Sequence, residues 1–496
     1  MIHYYSLGRA ARYFPERTAL VSHGTRSTFR ELHDRVARLA GALTRHGFKP
    51  GDRLAIVLPN EPEYIKLVYA CAWLGVTTIP LNTRLAVKEI DNILVDAQPR
   101  GLIRHSSLPV PTAYHSWQLV LDQEPLDIQS DSIPDPIYDP DAILTLIYTS
   151  GTTGRPKGVE MRHSNILENV YHTSFWLPLD EGAVHLHAAP IFHIADFPFM
   201  FGAPAFGACQ VTTSKFNPPT FCETVQRERV THTVLVPTMI NMLTESPEPQ
   251  RYDLTTLRHL GYGGSPMAPE LVHRTRQILP KVKLVQVYGL SEAGFLTGLL
   301  DHEHTEDKLT SCGRPSLGID VRVVDPTGKE VETGKTGELV ARGANIMRGY
   351  WNNAEESKSA FRNGFFRTGD VGYQDANGYF YILDRFKDMI VTGGENVYSG
   401  EVEAAIYTHP AVREAAVFGI PDPKWGELVM ACVVLKPRKT LSADELTAYC
   451  RRSLANYKIP RRIEFSDTEL LKSGSGKILK KVLRESFWAH QARAVG

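Results

Sequence analysis

Residues 148–159 read YTSGTTGRPKGV and place three glycines, four serine or threonine hydroxyls and one lysine within twelve positions. The run AILTLIYTS, residues 142–150, leads directly into this stretch and has the β-branched, apolar character of a buried strand. Such a strand delivers a glycine-rich loop to the carboxyl edge of a parallel sheet, where ligands of α/β folds bind. Backbone N–H groups freed by glycines, with hydroxyls and a lysine beside them, suit phosphate oxygens. The stretch therefore predicts an α/β fold with a phosphate site at one sheet edge.

The sequence before this stretch alternates between helix and strand patterns. Residues 29–47 carry leucines and a valine at helical spacing and end at Gly47, a residue suited to a helix C-terminus. Residues 52–59 read as a strand, residues 63–75 as a second helix and residues 76–81 as a second strand. Repetition of this unit predicts parallel strands connected by crossover helices.

The second half of the chain has a different pattern. Residues 123–141 contain four prolines and many acids and are expected to form a loop. Residues 313–381 show short strands and turns, which predicts a small β-rich subdomain. The last hundred or so residues mix helix and strand patterns at the size of a small domain. We expect two domains, at residues 1–386 and 387–496.

Composition excludes several classes of protein. The 496 residues balance 55 lysines and arginines against 55 aspartates and glutamates, so no net field favours nucleic acid or an anionic membrane. The most apolar run, residues 67–81, is too short and interrupted for a transmembrane segment, and the N-terminus lacks a secretory signal pattern. A cytoplasmic protein is expected. The cysteines have no C-x-x-C spacing and are expected to be free thiols in a reducing compartment; they are Cys71, Cys209, Cys222, Cys312, Cys432 and Cys450.

The glycine-rich stretch is not a Walker A loop. Counting from Gly151, the sixth position is Pro156, and Gly158 follows Lys157 where serine or threonine would be needed. A second candidate, KSGSGKI at residues 472–478, fails because Ile478 follows its lysine. A P-loop nucleoside triphosphatase is therefore disfavoured.

The whole set of motifs resembles the adenylate-forming superfamily, which contains acyl-CoA synthetases of the fatty-acid and 4-coumarate type, adenylation domains and luciferases. YTSGTTGRPKGV is similar to its phosphate-loop signature, and seven further motifs follow in the superfamily's order. They are PIFHIAD (190–196), YGGSP (262–266), VYGLSEAG (287–294), GELVARG (337–343), FRTGDVG (366–372), DRFKDMIVTGGENVYSGEVE (384–403) and SGSGKI (473–478). The resemblance covers nearly the whole chain.

This resemblance implies a fold and a reaction. The fold would be a large N-terminal adenylation domain of several subdomains, with parallel α/β sheets and a small β-rich part, followed by a small mobile α+β domain. The reaction would join a carboxylic acid to the α-phosphate of ATP, with Mg²⁺, releasing pyrophosphate; a thiol, expected to be coenzyme A, would then attack the acyl-adenylate.

The resemblance also assigns nucleotide-binding residues. The β- and γ-phosphates would contact the glycine-rich loop, with Lys157 as a nearby cation. The phosphate-binding residues of this loop would be Thr149, Ser150, Gly151, Thr152, Thr153 and Gly154. Asp370 and Arg385 would bind the ribose, and Glu292 would bind Mg²⁺. The residues expected around the adenine and α-phosphate are Gly264, Ser265, Val287, Tyr288, Gly289 and Ser291.

Four further assignments concern catalysis and domain motion. Lys477, on the flexible arm of residues 473–476, would stabilise the adenylation transition state. Lys387 would be the hinge between two poses of the small domain, and in the second pose Gly393 and Gly394 would line the path of the thiol arm. His193 would lie near the acyl carboxylate and the thiol.

The acid is expected to be apolar, either a fatty acid or an arylpropenoic acid of the coumarate or ferulate type. Bulky residues at Phe199, Tyr262, Val287 and Phe295 would close the acid pocket, and Asp196, taken as an unpaired carboxylate, would disfavour dicarboxylic acids. Free coenzyme A is the expected acceptor. The alternatives are an enzyme that loads a carrier protein, a luciferase-like oxygenase and a catalytically silent nucleotide-binding protein; oligomeric state is left open.

Overall fold

The computed structural model of the chain describes residues 1–108, 111–112, 117–123, 133–149, 156–386, 388–472 and 478–488. Its helices, in chain order, are α1 (Ile2–Tyr5), α2 (Leu7–Tyr13), α3 (Phe29–Arg45), α4 (Pro62–Leu74), α5 (Val87–Ala97), α6 (His163–Trp176), α7 (Phe199–Ala205), α8 (Pro218–Glu228), α9 (Pro237–Glu245), α10 (Pro269–Ile278), α11 (Ala354–Ser359), α12 (Ser399–Tyr407), α13 (Ala443–Cys450) and α14 (Lys480–Trp488).

The strands alternate with these helices in the first half and cluster in the second. In chain order they are β1 (Thr18–Ser22), β2 (Thr25–Thr28), β3 (Arg53–Val57), β4 (Thr77–Pro80), β5 (Gly101–Arg104), β6 (Trp117–Val120), β7 (Ile143–Thr149), β8 (Lys157–Arg162), β9 (Val184–His187), β10 (Cys209–Thr212), β11 (His232–Leu235), β12 (His259–Gly263), β13 (Lys283–Leu290), β14 (Gly294–Leu299), β15 (Arg314–Pro315), β16 (Asp320–Val324), β17 (Gly337–Arg342), β18 (Gly349–Tyr350), β19 (Phe361–Arg362), β20 (Phe365–Gln374), β21 (Phe380–Arg385), β22 (Ile390–Thr392), β23 (Glu395–Val397), β24 (Val412–Asp422), β25 (Gly426–Leu435) and β26 (Arg462–Phe465).

Two largely parallel sheets form the body of the N-terminal part. One has the order β18-β8-β7-β4-β3-β5-β6, with parallel pairing from β7 to β6. The other has the order β15-β14-β13-β12-β11-β9-β10-β1-β2, with parallel pairing from β13 to β1. The largest apolar core includes residues of α3, α4 and α6, and its members come from both sheets. The predicted parallel α/β architecture is confirmed.

Local sequence explains how α3 begins and ends. The Thr28 hydroxyl accepts a hydrogen bond from the Glu31 amide, and the Glu31 carboxylate accepts one from the Thr28 amide, so two free N–H groups are satisfied. Gly47, two residues beyond the helix, has φ +81°, a conformation that glycine adopts without steric cost. The predicted helix end is confirmed.

The β-rich part and the small domain complete the chain. Antiparallel strands β16, β17, β20, β19 and β21 form a five-stranded sheet, as predicted. The small domain has a separate apolar core around the long hairpin of β24 and β25, covered by α12 and α13. The predicted boundary at residues 386/387 falls between β21 and β22, and Lys387 lies outside the described residues.

The structure also bears on the expectations for the cysteines and for membrane-spanning segments. All six cysteines are free thiols. In the parts of the chain that the structure describes, no helix combines the length and apolar character needed to cross a membrane.

Candidate functional site

The glycine-rich loop connects two paired strands at the edge of the seven-stranded sheet. Thr149 ends β7, Lys157 begins β8, and the two residues are opposite each other in the antiparallel register. A Cβ at Gly158 would lie 3.0 Å from the Tyr148 ring, so glycine allows this close pairing. The loop residues Ser150, Gly151, Thr152, Thr153 and Gly154 lie outside the described part of the chain. The strand ends at Thr149 and Lys157 lie next to each other, and the position of the loop between them remains a prediction.

Lys157 is linked to the candidate magnesium ligand through a tyrosine. The Lys157 ammonium forms an ion pair with Glu356 and lies 5.4 Å from the centre of the Tyr350 ring. The Tyr350 hydroxyl donates a 3.0 Å hydrogen bond to Glu292 Oε1. The Met347 amide also donates a 2.7 Å hydrogen bond to the Glu292 backbone carbonyl. Glu292 and Lys157 therefore belong to one polar cluster, as ATP-phosphate and Mg²⁺ binding would require.

Asp370 is the centre of a second polar cluster. It faces Arg385 across the β20–β21 pair, where their Cα atoms are register partners, and Arg385 Nε lies 2.8 Å from Asp370 Oδ1. The Tyr288 hydroxyl donates a 2.6 Å hydrogen bond to Asp370 Oδ2. Asp370 raises the pKa of the Arg385 guanidinium, while burial and then Asp370 raise the pKa of Tyr288 well above its ordinary value. Three residues predicted from separate motifs are thus brought together.

The turn after β12 and the hairpin after β13 lie beside this cluster. Gly264 follows β12 with φ +79° and is exposed, and Ser265 is partly exposed next to it. Val287 is buried on β13, while Ser291 lies partly exposed in the β13–β14 turn. Gly289 is required by close packing, because a Cβ there would lie 1.8 Å from the Gly294 carbonyl oxygen. The described geometry gathers these residues on neighbouring strands of the nine-stranded sheet.

His193 lies in the loop after β9. Its Nε2 atom is buried and has no hydrogen-bond partner among the described residues, and burial lowers the pKa of the ring to about 4. The imidazole is therefore neutral near pH 7, with a ring nitrogen available to a bound molecule.

The expectation for Asp196 is wrong. Its carboxylate is fully buried and lies 3.1 Å from His185 Nε2 and 2.8 Å from His187 Nδ1. Burial opposes its ionisation, but the two imidazoles outweigh that effect and lower the pKa of this carboxyl. A paired, buried carboxylate has no free charge to repel an acidic substrate, so the argument against dicarboxylic acids fails.

The remaining predicted residues concern the small domain. Lys387, Lys477 and the arm 473–476 lie outside the described residues; Lys472 and Ile478, on either side of Lys477, form an antiparallel bridge. Gly393 and Gly394 form the β22–β23 turn with φ +60° and +86°, and both are exposed. A Cβ at Gly393 would lie 2.8 Å from the Trp425 ring, so this turn needs glycine for packing as well as conformation.

Sequence reasoning missed several polar residues at the site. Tyr350 and Glu356 lie in a segment between recognised motifs, and their contacts join elements far apart in sequence. Asn60 was also missed; its side chain donates to the carbonyls of His187 and Ala189. The only sequence signal among the missed residues is His-x-His at 185 and 187, which places both rings on one face of a strand.

Comparisons with known proteins agree with this geometry. The family described as AMP-binding enzyme matches residues 7–351, and the AMP-binding enzyme C-terminal domain matches residues 401–477. A feruloyl-CoA synthase of Amycolatopsis is 40% identical over 484 residues, which is 97% of this chain and 98% of that protein. A long-chain-fatty-acid–CoA ligase of Mycobacterium tuberculosis is 34% identical over 507 aligned positions, covering 97% and 98% of the two chains.

Solved structures are similar over the same length. The o-succinylbenzoate CoA synthetase of Bacillus subtilis, in complex with its acyl-adenylate intermediate, has a TM-score of 0.87 and 33% identity, covering 99% of this chain and 98% of that chain. The same enzyme with ATP and magnesium has a TM-score of 0.86, with 96% and 98% covered. Both the large N-terminal and the small C-terminal domain are therefore shared.

Proposed function

The chain belongs to the AMP-binding enzyme family, and we propose that it activates an arylpropenoic acid of the ferulate type. Its reaction is that of an AMP-forming acid–CoA ligase. The acid and ATP give an acyl-adenylate and pyrophosphate, and coenzyme A then displaces AMP to give the thioester. Magnesium, when bound, neutralises phosphate charge during the first step.

The observation that carries this function is that the Asp370 cluster and the Glu292 cluster lie on adjacent elements of the fold. Asp370, held by Tyr288 and Arg385, offers a carboxylate for the two ribose hydroxyls. Glu292 offers a single carboxylate for Mg²⁺, which normally takes one or two from the protein. Lys157, close to Glu292 through Tyr350, would then meet the phosphates.

Further residue roles belong to the same proposal. Gly264, Ser265, Val287 and Gly289 would bracket the adenine, with Ser291 at the α-phosphate. Thr149 and the loop 150–154 would bind the departing phosphates. Lys477 would neutralise charge as the adenylate forms, and His193 would contact the acyl carboxylate or the incoming thiol.

Bulky side chains support an aryl acid over a long alkyl acid. Phe199, Val287 and Phe295 belong to one buried cluster and are at most 4% exposed. Tyr262 is also buried, and its hydroxyl lies 2.9 Å from His304 Nε2. Bulky, buried residues at these positions would leave less depth for a long chain than for a planar ring. The greater identity to the feruloyl-CoA synthase than to the fatty-acid ligase supports the same choice.

We place the domain boundary at residues 386/387, with Lys387 as the hinge, and Gly393 and Gly394 beside the thiol path in the thioester-forming pose. The small domain's separate core supports its movement as a unit. We also propose a cytoplasmic location, which fits free thiols and the need for ATP and coenzyme A.

The test is coenzyme-A-dependent AMP formation across a panel of ferulic, coumaric, fatty and dicarboxylic acids, with pyrophosphate release followed in parallel. We expect thioester and AMP with the arylpropenoic acids at the highest kcat/KM. Preference for fatty acids would reject the acid class but keep the ligase. Pyrophosphate release without any coenzyme A thioester would favour a carrier protein as the acceptor.

A further inference from the structure

The loop that carries His193 is closed by side-chain hydrogen bonds at its two ends. His187 is the last residue of β9, and Asp196 lies shortly before α7. His187 Nδ1 and Asp196 Oδ2 are 2.8 Å apart, and His185 Nε2 is 3.1 Å from the other carboxylate oxygen. One carboxylate therefore ties the end of the loop to two residues of the strand at its start. We call His185, His187 and Asp196 the histidine–aspartate clamp.

The clamp is entirely buried. None of the three side chains has any exposed surface. On the side away from Asp196, His187 Nε2 lies 3.0 Å from Gln210 Oε1 on β10. An unpaired carboxylate in such a place would be strongly unfavourable, so both imidazole contacts are needed to hold it there. Removing the carboxylate would release the loop from β9.

A second set of hydrogen bonds transmits this constraint to His193. The amides of Asp196 and Phe197 donate to the His193 carbonyl at 3.1 and 3.0 Å. At the other end of the loop, Asn60 accepts from the Ile191 amide at 3.0 Å and donates to two carbonyls. The backbone on both sides of His193 is therefore fixed, on one side by Asn60 and on the other by the clamp residue Asp196.

The clamp is better explained by hydrogen bonds than by a metal ion. Its ligand atoms lie within 4.8 Å of one another, close enough to consider a metal. A metal-bound histidine usually donates its other ring N–H to an acceptor. His185 Nδ1, however, is buried with no partner among the described residues, and its ring stacks on Phe199 at 4.4 Å. A neutral His185 that donates its Nε2–H to the Asp196 carboxylate carries no proton on Nδ1. That nitrogen therefore needs no acceptor.

We propose that the histidine–aspartate clamp is a positioning unit that holds His193 against the reacting acyl group. The inference rests on the proposed function in one respect, namely that His193 contacts the acid or the thiol. Asp196 and His187 touch neither, and they act by fixing the loop. Because a displacement of about 1 Å costs a catalytic contact on the order of 100-fold in rate, loosening the loop removes most of what His193 contributes.

The experiment is a double-mutant cycle between Asp196→Asn and His193→Ala, measured with the acid that the wild-type enzyme adenylates fastest. Asp196→Asn keeps the shape of the side chain but leaves one oxygen for two N–H donors. We expect it to lower kcat/KM for the acid by roughly 10- to 100-fold, with KM for ATP within about twofold of wild type. In the His193→Ala background the same change should cost less than about threefold, because the residue it positions is gone.

The control is His172→Gln, which alters another buried histidine, 3% exposed, on α6, where its ring bonds the Leu317 carbonyl and contacts no clamp residue. It should leave kcat/KM for the acid within about threefold of wild type. Thermal unfolding of every variant reports the folded fraction, and if Asp196→Asn does not fold, His187→Gln replaces it in the cycle. Equal costs of the clamp substitution with and without His193, or no effect of His193→Ala alone, would overturn the inference. If the enzyme does not use an arylpropenoic acid, the inference about the clamp is still tested, because the assay uses whichever acid reacts.

Discussion

At the scale of single residues, Asp370 is the most heavily constrained polar group of the site. It is 3% exposed and keeps both oxygens engaged, one with Tyr288 and one with Arg385. Replacement by asparagine preserves shape but removes the charge opposite Arg385 and one acceptor. The partly exposed Arg385 guanidinium then loses its buried partner.

We expect Asp370→Asn to lower kcat/KM for ATP in pyrophosphate release by about 10- to 100-fold, through KM for ATP, as the loss of a charge-assisted bond predicts. Asp320→Asn is the matched control, because Asp320 pairs with Arg322 on the β-rich sheet's surface. An unchanged KM for ATP in the Asp370 variant would contradict the ribose assignment.

Tyr350 gives a second prediction for a single residue. Tyr350→Phe keeps the ring beside Lys157 but removes the hydrogen bond to Glu292. The freed carboxylate should be less well oriented, so the half-saturating Mg²⁺ concentration for adenylation should rise about threefold to tenfold. Tyr373→Phe, on the β-rich sheet, provides the comparison. Identical magnesium titrations of the two variants would remove Tyr350 from the site.

At this scale, complete motifs pointed to residues that the structure brings into contact, whereas contacts between distant elements were not predicted. Asp370, Arg385 and Tyr288 were predicted from three motifs, and the structure brings them into contact. Asp196 was misread because its partners lie on a strand, and nothing in the local sequence states where a loop carboxylate points. Glu356 and Tyr350 were missed for the same reason.

At the scale of elements, the hairpin of β13 and β14 carries both Tyr288 and Glu292. Its register shifts between Tyr288 and Gly289, and Gly289 packs against the Gly294 carbonyl with no room for a Cβ. A bulge at this point turns consecutive residues toward different partners. The irregularity therefore lets one hairpin contribute Tyr288 to the Asp370 cluster and Glu292 to the cluster with Tyr350 and Lys157.

Gly289→Ala should destabilise the protein by on the order of 3 kcal/mol or more, because backbone must move to accept the methyl group. Urea unfolding gives the measurement. Gly202→Ala is the control, since its Cβ would meet nothing closer than 3.5 Å and lies within helix α7. If Gly289→Ala lowers the free energy of unfolding no more than Gly202→Ala does, the hairpin can adjust to the added methyl group.

The sequence largely predicted which segments form helices and strands, but it did not predict which strands pair with each other. The sequence pattern identified α3 and α4 as helices and β3, β4 and β7 as strands, because these patterns depend on neighbours in sequence. The two-residue strand β18 pairs with β8 from nearly two hundred residues away. It has no periodicity from which a pairing could be predicted.

At the scale of the whole molecule, the two half-reactions are proposed to need different poses of the small domain. Lys477→Ala should lower adenylation at least about 100-fold, because the transition state loses its cation, and leave thioester formation from supplied acyl-adenylate within about threefold. Lys481→Ala is a suitable control, since Lys481 is an exposed lysine near Glu485. Equal loss of both half-reactions would reject the role of Lys477.

Buried histidines should make the stability of the whole molecule fall in acid. Burial lowers the pKa of His163 to about 3, and the Nδ1 atom of this ring accepts the Ile2 amide. An unfolded histidine binds a proton near pH 6.5, so its contribution to stability is present above that pH and is lost as pH falls toward 3.

The measurement is urea unfolding between pH 7 and 5. His163→Gln, which retains an acceptor but does not titrate, should reduce the slope of unfolding free energy against pH by up to about 1.4 kcal/mol per pH unit. Parallel curves for the variant and the wild type would show that His163 titrates normally.

The Tyr288 hydroxyl on Asp370 has a consequence for how the enzyme turns over. A phenol and a sugar hydroxyl are the same kind of donor, so a nucleotide whose ribose binds Asp370, as we propose, exchanges one O–H···O⁻ bond for another. The Tyr288 bond lost in that exchange offsets part of what the ribose gains at Asp370, so the base and the phosphates contribute a large share of the affinity. Once pyrophosphate has departed and the acyl group has been handed on, AMP has lost the contacts of two phosphates, and the Tyr288 hydroxyl competes with its ribose for Asp370 as the product leaves.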